Sequence, residues 1–588
     1  MRVSTTKDGL TLRAIAGVNS VILGMDLQEN KRKGCLGFSI QRTDLGPTDK
    51  PFSKAKQASR WLPNLLRFPS DKSTDPNTTE RSPLQKFRWG DYTTKPGQRY
   101  RYRVVPRFGK PGKLTPDLDG DGGVTVEVIT EDNQSPETAV FFNRAAAASK
   151  AFEDKFGEIT KESELLGDSE LAKQARAWLS RGLEEAVLAF LAQAKDKSFA
   201  LHAVIYEFQK TSLLAGLRQA LDRGADVQIV YHHRQKQSGG KPDPKDKTAG
   251  ENAEAAEAAK LAEVCVQREA NPQGAIMHNK FVVLLEKTGK ELVPKAVWTG
   301  STNWTDGGIY GQLNVGHAIY EPDVAATYEA YFQLLRADTG AADLKKALTE
   351  LTPVPSPLPP EHRTRPIFSP QPNLGMIDLY ASICSGAKCL MVCAPFELHP
   401  TIRKALLKQP AGTLHYLLLD KERSLGKPEE VTVQEADPRN TISVATTVSS
   451  PLHDFQGKLL QGKESFLHAG IHIHSKIILA DPFGSDPILA TGSANYSTNS
   501  STKNDSNTLM IRGNTAVTDI YATEFMRMFE HYHFRASLAA AQEKAKAAGQ
   551  KVKDEPMGLK EEDVWSDKYY QPGSIEELDR RMFAGTLV

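Results

Sequence analysis

Two short constellations carry residue types suited to chemistry at a phosphate ester. The first is His278-Asn279-Lys280 followed by Gly300-Ser301-Thr302-Asn303. The second is His474-Ser475-Lys476, then Asp481, then Gly492-Ser493-Ala494-Asn495. Side chains alternate along a strand, so a histidine two positions from a lysine shares its face. A neutral imidazole is a nucleophile, and an ammonium holds an anionic oxygen beside it. One histidine–lysine pair arises by chance. Two, each trailed by Gly-Ser-x-Asn, describe one site built from two half-sites.

A phosphodiester is anionic, so a nucleophile approaches phosphorus against negative charge. Lys280 and Lys476 can neutralise the nonbridging oxygens, while Asn303 and Asn495, with Ser301 and Ser493, supply neutral donors. In such a site one neutral histidine can attack phosphorus, giving a phosphohistidine. The other, protonated, donates to the leaving oxygen and then acts as base toward water. Two imidazoles in one site titrate as a coupled unit. This chemistry asks for no metal, and no acidic cluster flanks either motif, so no cofactor is expected. The residues alone leave open which histidine attacks.

The elements that must position these residues follow a repeated order. From Thr138 the chain reads as strand (139–143), helical stretch (to about 191), strand (199–206), helix (210–223) and strand (227–231). The order recurs as 367–369, 375–384, 390–393, 400–408 and 414–419, and each copy ends in its own motif. This predicts an α/β fold with two duplicated halves, 136–353 and 354–535, forming one pseudo-twofold catalytic unit. The proline-rich run 354–360 is a stiff spacer between them. The segment 235–259 reads as a charged, partly helical insertion.

Residues 1–135 are expected to form an all-β sandwich. The period-two run 98–105, after the turn Pro96-Gly97, resembles a late strand of a fibronectin type III or immunoglobulin-like domain. Its residues Arg99, Tyr100, Arg101, Tyr102 and Arg103, with Arg107, read either as a sandwich strand with tyrosines inward or as a track for a nucleic-acid backbone. Residues 44–85 read as an inserted loop. Asp117–Gly122 reads as a hairpin turn, because Val128 stands where a calcium loop needs a carboxylate. Residues 536–588 are a C-terminal helix and tail without visible chemistry.

Composition is that of an ordinary soluble chain, with a net charge of +2 over 588 residues. The charge is uneven: about +8 over the first 135 residues and near −6 over the rest, an asymmetry that suggests a polyanion- or protein-facing end or a solubilising surface. The five cysteines (Cys35, Cys265, Cys384, Cys389 and Cys393) read as reduced core residues. No apolar run approaches the ~20 residues of a membrane span, and no secretion signal is evident at the N-terminus, so a cytoplasmic address is expected.

The paired HxK…D…GSxN (HKD) motifs in an α/β chain that reads as duplicated resemble the phospholipase D superfamily, particularly bacterial phospholipase D-like proteins. The resemblance spans about 138–535. The second motif matches throughout; the first has Leu285 in place of the aspartate, with Glu286 one position late and facing the other way on a strand. Ser506 stands where relatives tend to carry a glutamate that orients a catalytic histidine, with Asp505 beside it; the matching stretch in the first half is Gln312-Leu313-Asn314. The resemblance implies metal-independent phosphodiester hydrolysis through a phosphohistidine, with His278 as nucleophile and His474 as general acid. Asp481 would fix the orientation or charge of the second half-site. Nucleic acid is slightly favoured as substrate, engaged through the basic N-terminal module. A phosphatidyl lipid is the alternative, although no amphipathic membrane-binding stretch is evident. Leu285 and Ser506 lend weak support to a third reading, a binding or scaffold protein with a decayed site. His472 reads as a residue packed beside His474, and Trp304 and Tyr496 either wall the pocket or pack in the core.

Overall fold

The computed structural model describes residues 1–48, 57–64, 66–116, 123–133, 137–145, 150–234, 237–238, 241–242, 247–272, 274–445, 452–453, 459–460, 472–547 and 558–587. Two seven-stranded mixed sheets dominate it. The first runs, in spatial order, Thr138–Phe142, Val315–Ile319, Glu291–Gly300, Lys280–Thr288, Phe199–Ile205, Asp226–His232 and Cys265–Arg268. The second runs Thr364–Ser369, Ser506–Arg512, Ile488–Gly492, Ile477–Ala480, Cys389–Ala394, Leu414–Leu419 and Asn440–Val444. The two orders correspond strand for strand. In each, the last three strands are parallel and the other neighbours antiparallel. The central strands are continuous apolar runs, as sheets covered on both faces require; Phe281 to Leu285 and Ile477 to Ala480 are buried throughout.

The two sheets share one core. The helix Pro322–Arg336 brings Tyr328 and Tyr331 against Phe281 of the first sheet and Phe368 of the second. The long helix Thr515–Ala547 sets Tyr521 against Phe142, its hydroxyl bonded to His317 and to Thr491. One turn on, the buried Glu524 accepts from both Arg181 and Arg527. Burial pushes its carboxyl up, but the two guanidinium groups outweigh this and hold it at about 2.

The N-terminal region is β-rich, with two antiparallel sheets. One contains Arg2–Lys7, Leu10–Ala16, Val21–Leu27 and Arg88–Asp91; the other contains Ala58–Trp61, Gly37–Pro47, Gln98–Lys110, Lys113–Pro116 and Val124–Ile129. Tyr100 and Tyr102 are buried between them while Arg99 and Arg101 face outward, and Arg101 pairs with Glu127. The tyrosine rings are therefore core residues with no face free to stack on bases. Val128 is also buried, and the Asp117–Gly122 turn lies outside the described residues.

The C-terminal segment returns to this region. Trp565 stacks on Phe87 at 5.4 Å, meets Phe38 edge-on and donates its indole N–H to the Cys35 carbonyl. Phe583 passes so close to the sheet that a Cβ at Gly24 would sit 2.3 Å from its backbone. The five cysteines are free thiols, and among the described residues no helix is long and apolar enough to cross a membrane.

Two stability measurements follow. Trp565→Ala removes a buried aromatic and its hydrogen bond and should cost roughly 3–5 kcal/mol in denaturant unfolding; a loss below 1 kcal/mol would show the tail to be peripheral. Glu524 is held below the ordinary carboxylate range, so its contribution is complete above about pH 4.3 and is lost as pH falls toward 2. Between those values the unfolding free energy of the native chain should fall more steeply than that of Glu524→Gln.

Candidate active site

The two motifs meet where the sheets meet, and each histidine is set by the opposite sheet unit. The residues before His278 pair with a segment of the second unit: His278 N–H donates to the Asp505 carbonyl at 2.7 Å, and Asp505 N–H to that of Ile276 at 3.1 Å. The residues before His474 pair with Leu313 of the first unit, through His474 N–H to the Leu313 carbonyl at 3.0 Å and Leu313 N–H to that of His472 at 2.8 Å. The two imidazoles then face each other across 6.1 Å between ring centres, each about 4 % exposed.

Their orientation is fixed at Nδ1. His278 Nδ1 lies 2.9 Å from the Ser493 carbonyl, and His474 Nδ1 lies 3.0 Å from both the Ser301 carbonyl and Asn314 Oδ1. A carbonyl only accepts, so Nδ1 carries the proton and a neutral ring keeps its lone pair on Nε2. The serines contribute these carbonyls, while their hydroxyls brace the turns. Ser301 Oγ donates to Asn314 Oδ1 and accepts from Val315 N–H, and Ser493 Oγ accepts from Asn507 N–H.

Lys280 and Lys476 are about 1 % exposed, and each donates Nζ to the carbonyl of its own motif's histidine, at 2.6 and 2.5 Å. Burial pushes Lys476 down to about 7, opposed by the negative charge of Glu207. Burial, then the neighbouring Lys476, takes Lys280 well below the usual lysine range. Burial likewise lowers His278 far below an ordinary imidazole, reinforced by Lys280, Lys476 and His474, so His278 is neutral at physiological pH. The Asn303 amide donates to Glu207 Oε2 at 2.5 Å, whereas Asn495 is half-buried.

Asp481 is not gathered with these groups. It follows the strand Ile477–Ala480, about 16 Å along the chain from Lys476. Its Oδ1 accepts from the backbone N–H groups of Lys388 and Cys389 at 2.8 and 2.9 Å, and its own φ is +49°. It caps a strand end. In the first motif the strand runs on to Thr288, so the equivalent Leu285 is buried in a sheet with nothing to cap, and Glu286 pairs with Lys295 at the surface.

Asp505 does not replace an orienting glutamate either. It forms a buried ion pair with Arg268, and among the described residues Ser506 Oγ has no partner. Asn314 and Ser506 occupy equivalent places, thirteen residues after Ser301 and Ser493. An amide and a hydroxyl thus stand at the two equivalent places, and backbone carbonyls hold the imidazoles.

Two supporting groups had no motif to announce them: Glu207 and Asp420. Asp420 Oδ1 accepts from the N–H groups of His472 and Ile473, and His232 Nδ1 accepts from Met277 N–H at the matching place. Trp304 and Tyr496 are core residues. The described part of the 235–259 insertion holds the helix Thr248–Ala258, whose buried Asn252 bonds Phe208 N–H and the carbonyls of Tyr206 and His232. Among the described residues no group of three or more His, Cys, Asp or Glu side chains is placed to hold a metal ion.

Residues 187–336 match the family model described as "Cardiolipin synthase, PLD-like domain". No curated protein sequence matches the chain. Among solved structures it is similar to phosphatidylserine synthase of Haemophilus influenzae Rd KW20, at 12% identity and a TM-score of 0.41 over 63% of this chain and 92% of that one. It is also similar to the phospholipase D family member Nuc of Salmonella typhimurium, at 22% identity and a TM-score of 0.20 over 26% and 86%. A third is yeast tyrosyl-DNA phosphodiesterase, at 11% identity and a TM-score of 0.31 over 56% and 88%.

The Arg268–Asp505 pair links the two units directly behind His278. Arg268→Met leaves a buried carboxylate uncompensated and should cost roughly 3–5 kcal/mol. Arg268→Met with Asp505→Leu should recover most of that loss in the same denaturation assay; a double variant no better than the single would show that the charge is not the cause.

Proposed function

We propose that this chain is a phosphodiesterase of the phospholipase D superfamily that works through a covalent phosphohistidine on His278. The observation that carries this reading is the meeting of two imidazoles, each tied at Nδ1 to the opposite motif's carbonyl, beside two buried lysines. His278 Nε2 attacks phosphorus and the P–N bond forms. The ester P–O bond breaks, and His474 Nε2–H gives its proton to the leaving oxygen. Water then loses a proton to His474 and attacks phosphorus, breaking the P–N bond. Lys280, Lys476, Asn303 and Asn495 stabilise the equatorial oxygens. Ser301 and Ser493 serve through their carbonyls, and Asp481 acts at a distance, by anchoring the strand that carries Lys476. No step calls for a metal.

The equal strand order of the two large sheets supports a duplication of 136–353 and 354–535, and the paired antiparallel sheets support a sandwich of fibronectin type III type over 1–135. We favour nucleic acid as substrate, on the positive charge concentrated in that N-terminal region. A phosphatidyl lipid is the second reading, favoured by the name of the matched family model.

Activity on plasmid, single-stranded RNA and phosphatidylcholine vesicles should survive EDTA. Cleavage of lipid alone would reverse the substrate preference, and activity abolished by EDTA would sink the metal-free mechanism. On bis(4-nitrophenyl) phosphate, His278→Ala should lose turnover, whereas His474→Ala should slow it by about 10²–10⁴ and accumulate an acid-labile phosphoprotein. A wild-type rate in His278→Ala would overturn the assignment. Because Lys476 loses its positive charge as pH rises through about 7, kcat/KM should decline on the alkaline side of neutrality; a profile flat to pH 9 would contradict a charged Lys476 in the active form.

A further inference from the structure

The half-sites differ at a further place that the motifs do not encode. Glu207 lies just beyond the strand Phe199–Ile205, two residues after Ile205, which pairs with Lys280. The corresponding place beyond the strand Cys389–Ala394 is Phe396, which is 42% exposed. One half-site therefore carries a carboxylate and the other a phenyl ring.

Glu207 is firmly held. Its carbonyl accepts from Trp304 N–H at 3.1 Å, and Asn252 fixes both flanking residues through the Tyr206 carbonyl and Phe208 N–H. Its side chain is half-buried, accepts from the Asn303 amide, and acts electrostatically on both buried lysines. Those three groups, an amide donor and two ammonium groups, are three of the four assigned above to the phosphate.

We propose that Glu207 is a positioning residue of this site, a resident anion that orients the Asn303 amide and balances Lys280 and Lys476 until a phosphodiester takes over all three. The proposal rests on the phosphodiesterase reading. Two ammonium groups buried side by side favour losing a proton, and an adjacent carboxylate opposes that loss. Replacing it with a neutral isostere keeps an acceptor for Asn303 but withdraws the charge, so the lysines deprotonate at lower pH.

The probe is dimethyl phosphate, a monoanion throughout the range, with binding followed by ³¹P NMR from pH 5.5 to 9. Wild-type binding should weaken as pH rises through about 7. In Glu207→Gln this limb should move to lower pH by about one unit or more, and Glu207→Asp, which restores the charge, should return it toward the wild-type position. A Glu207→Gln limb superimposable on wild type or displaced upward overturns the proposal, as does Glu207→Asp behaving like Glu207→Gln. Because binding is read without turnover, the two failures separate. Wild-type protein that binds no dimethyl phosphate at any pH removes the phosphodiester reading itself, whereas binding with an unmoved limb removes only the role of Glu207.

Discussion

The structure depends on a conflict between burial and charge at one point. Two lysines and two histidines are enclosed where water hardly reaches them. Isolated cations in such a place shed protons rather than stay charged. The fold answers with dipoles and one carboxylate. Each ammonium donates to the carbonyl of its own histidine, each imidazole donates to the carbonyl of the opposite serine, and the Glu207 carboxylate favours the charged form of both lysines. These acceptors are largely backbone, so they are placed by strand register rather than by side-chain choice.

Because each imidazole is oriented by the other sheet unit, neither half-site exists until the two units dock. The docking contacts are accordingly specific rather than merely apolar. Tyr331 stacks on Phe281 and Phe368, Glu524 is clamped between Arg181 and Arg527, and Arg268 reaches across to Asp505, whose carbonyl holds His278 N–H. A slip of one residue at the Met277–Asp505 or Ile473–Leu313 contact would turn a histidine away from its partner, since strand side chains alternate. Stability and site geometry are thus the same set of contacts.

What the sequence disclosed and what it hid follow from this. The alternation of His278 with Lys280 and of His474 with Lys476 is a local property of a strand, so the pairs were legible, as were the repeated order of elements and the inward tyrosines of the basic run. Asp481 was legible as a motif residue but not as a strand cap, because its partners are the backbone N–H groups of Lys388 and Cys389, far off in the chain. Glu207 carries no spacing signal; it reaches the site only through tertiary pairing. Trp565 reads as part of a featureless tail, although it completes an aromatic cluster with Phe38 and Phe87 at the opposite end of the sequence.

The asymmetry of the half-sites has a chemical direction. His474 is held by two acceptors, one of them Asn314, whereas His278 has the Ser493 carbonyl and a Ser506 that offers no bond. An acid that gives and retakes a proton gains from acceptors at Nδ1, which stabilise its cationic form. A nucleophile that must remain neutral gains from burial beside two ammonium groups, which is where His278 lies. The hydroxyl at position 506 fits the nucleophilic role proposed for His278: a negative charge at His278 Nδ1 would favour the protonated ring, which has no lone pair with which to attack.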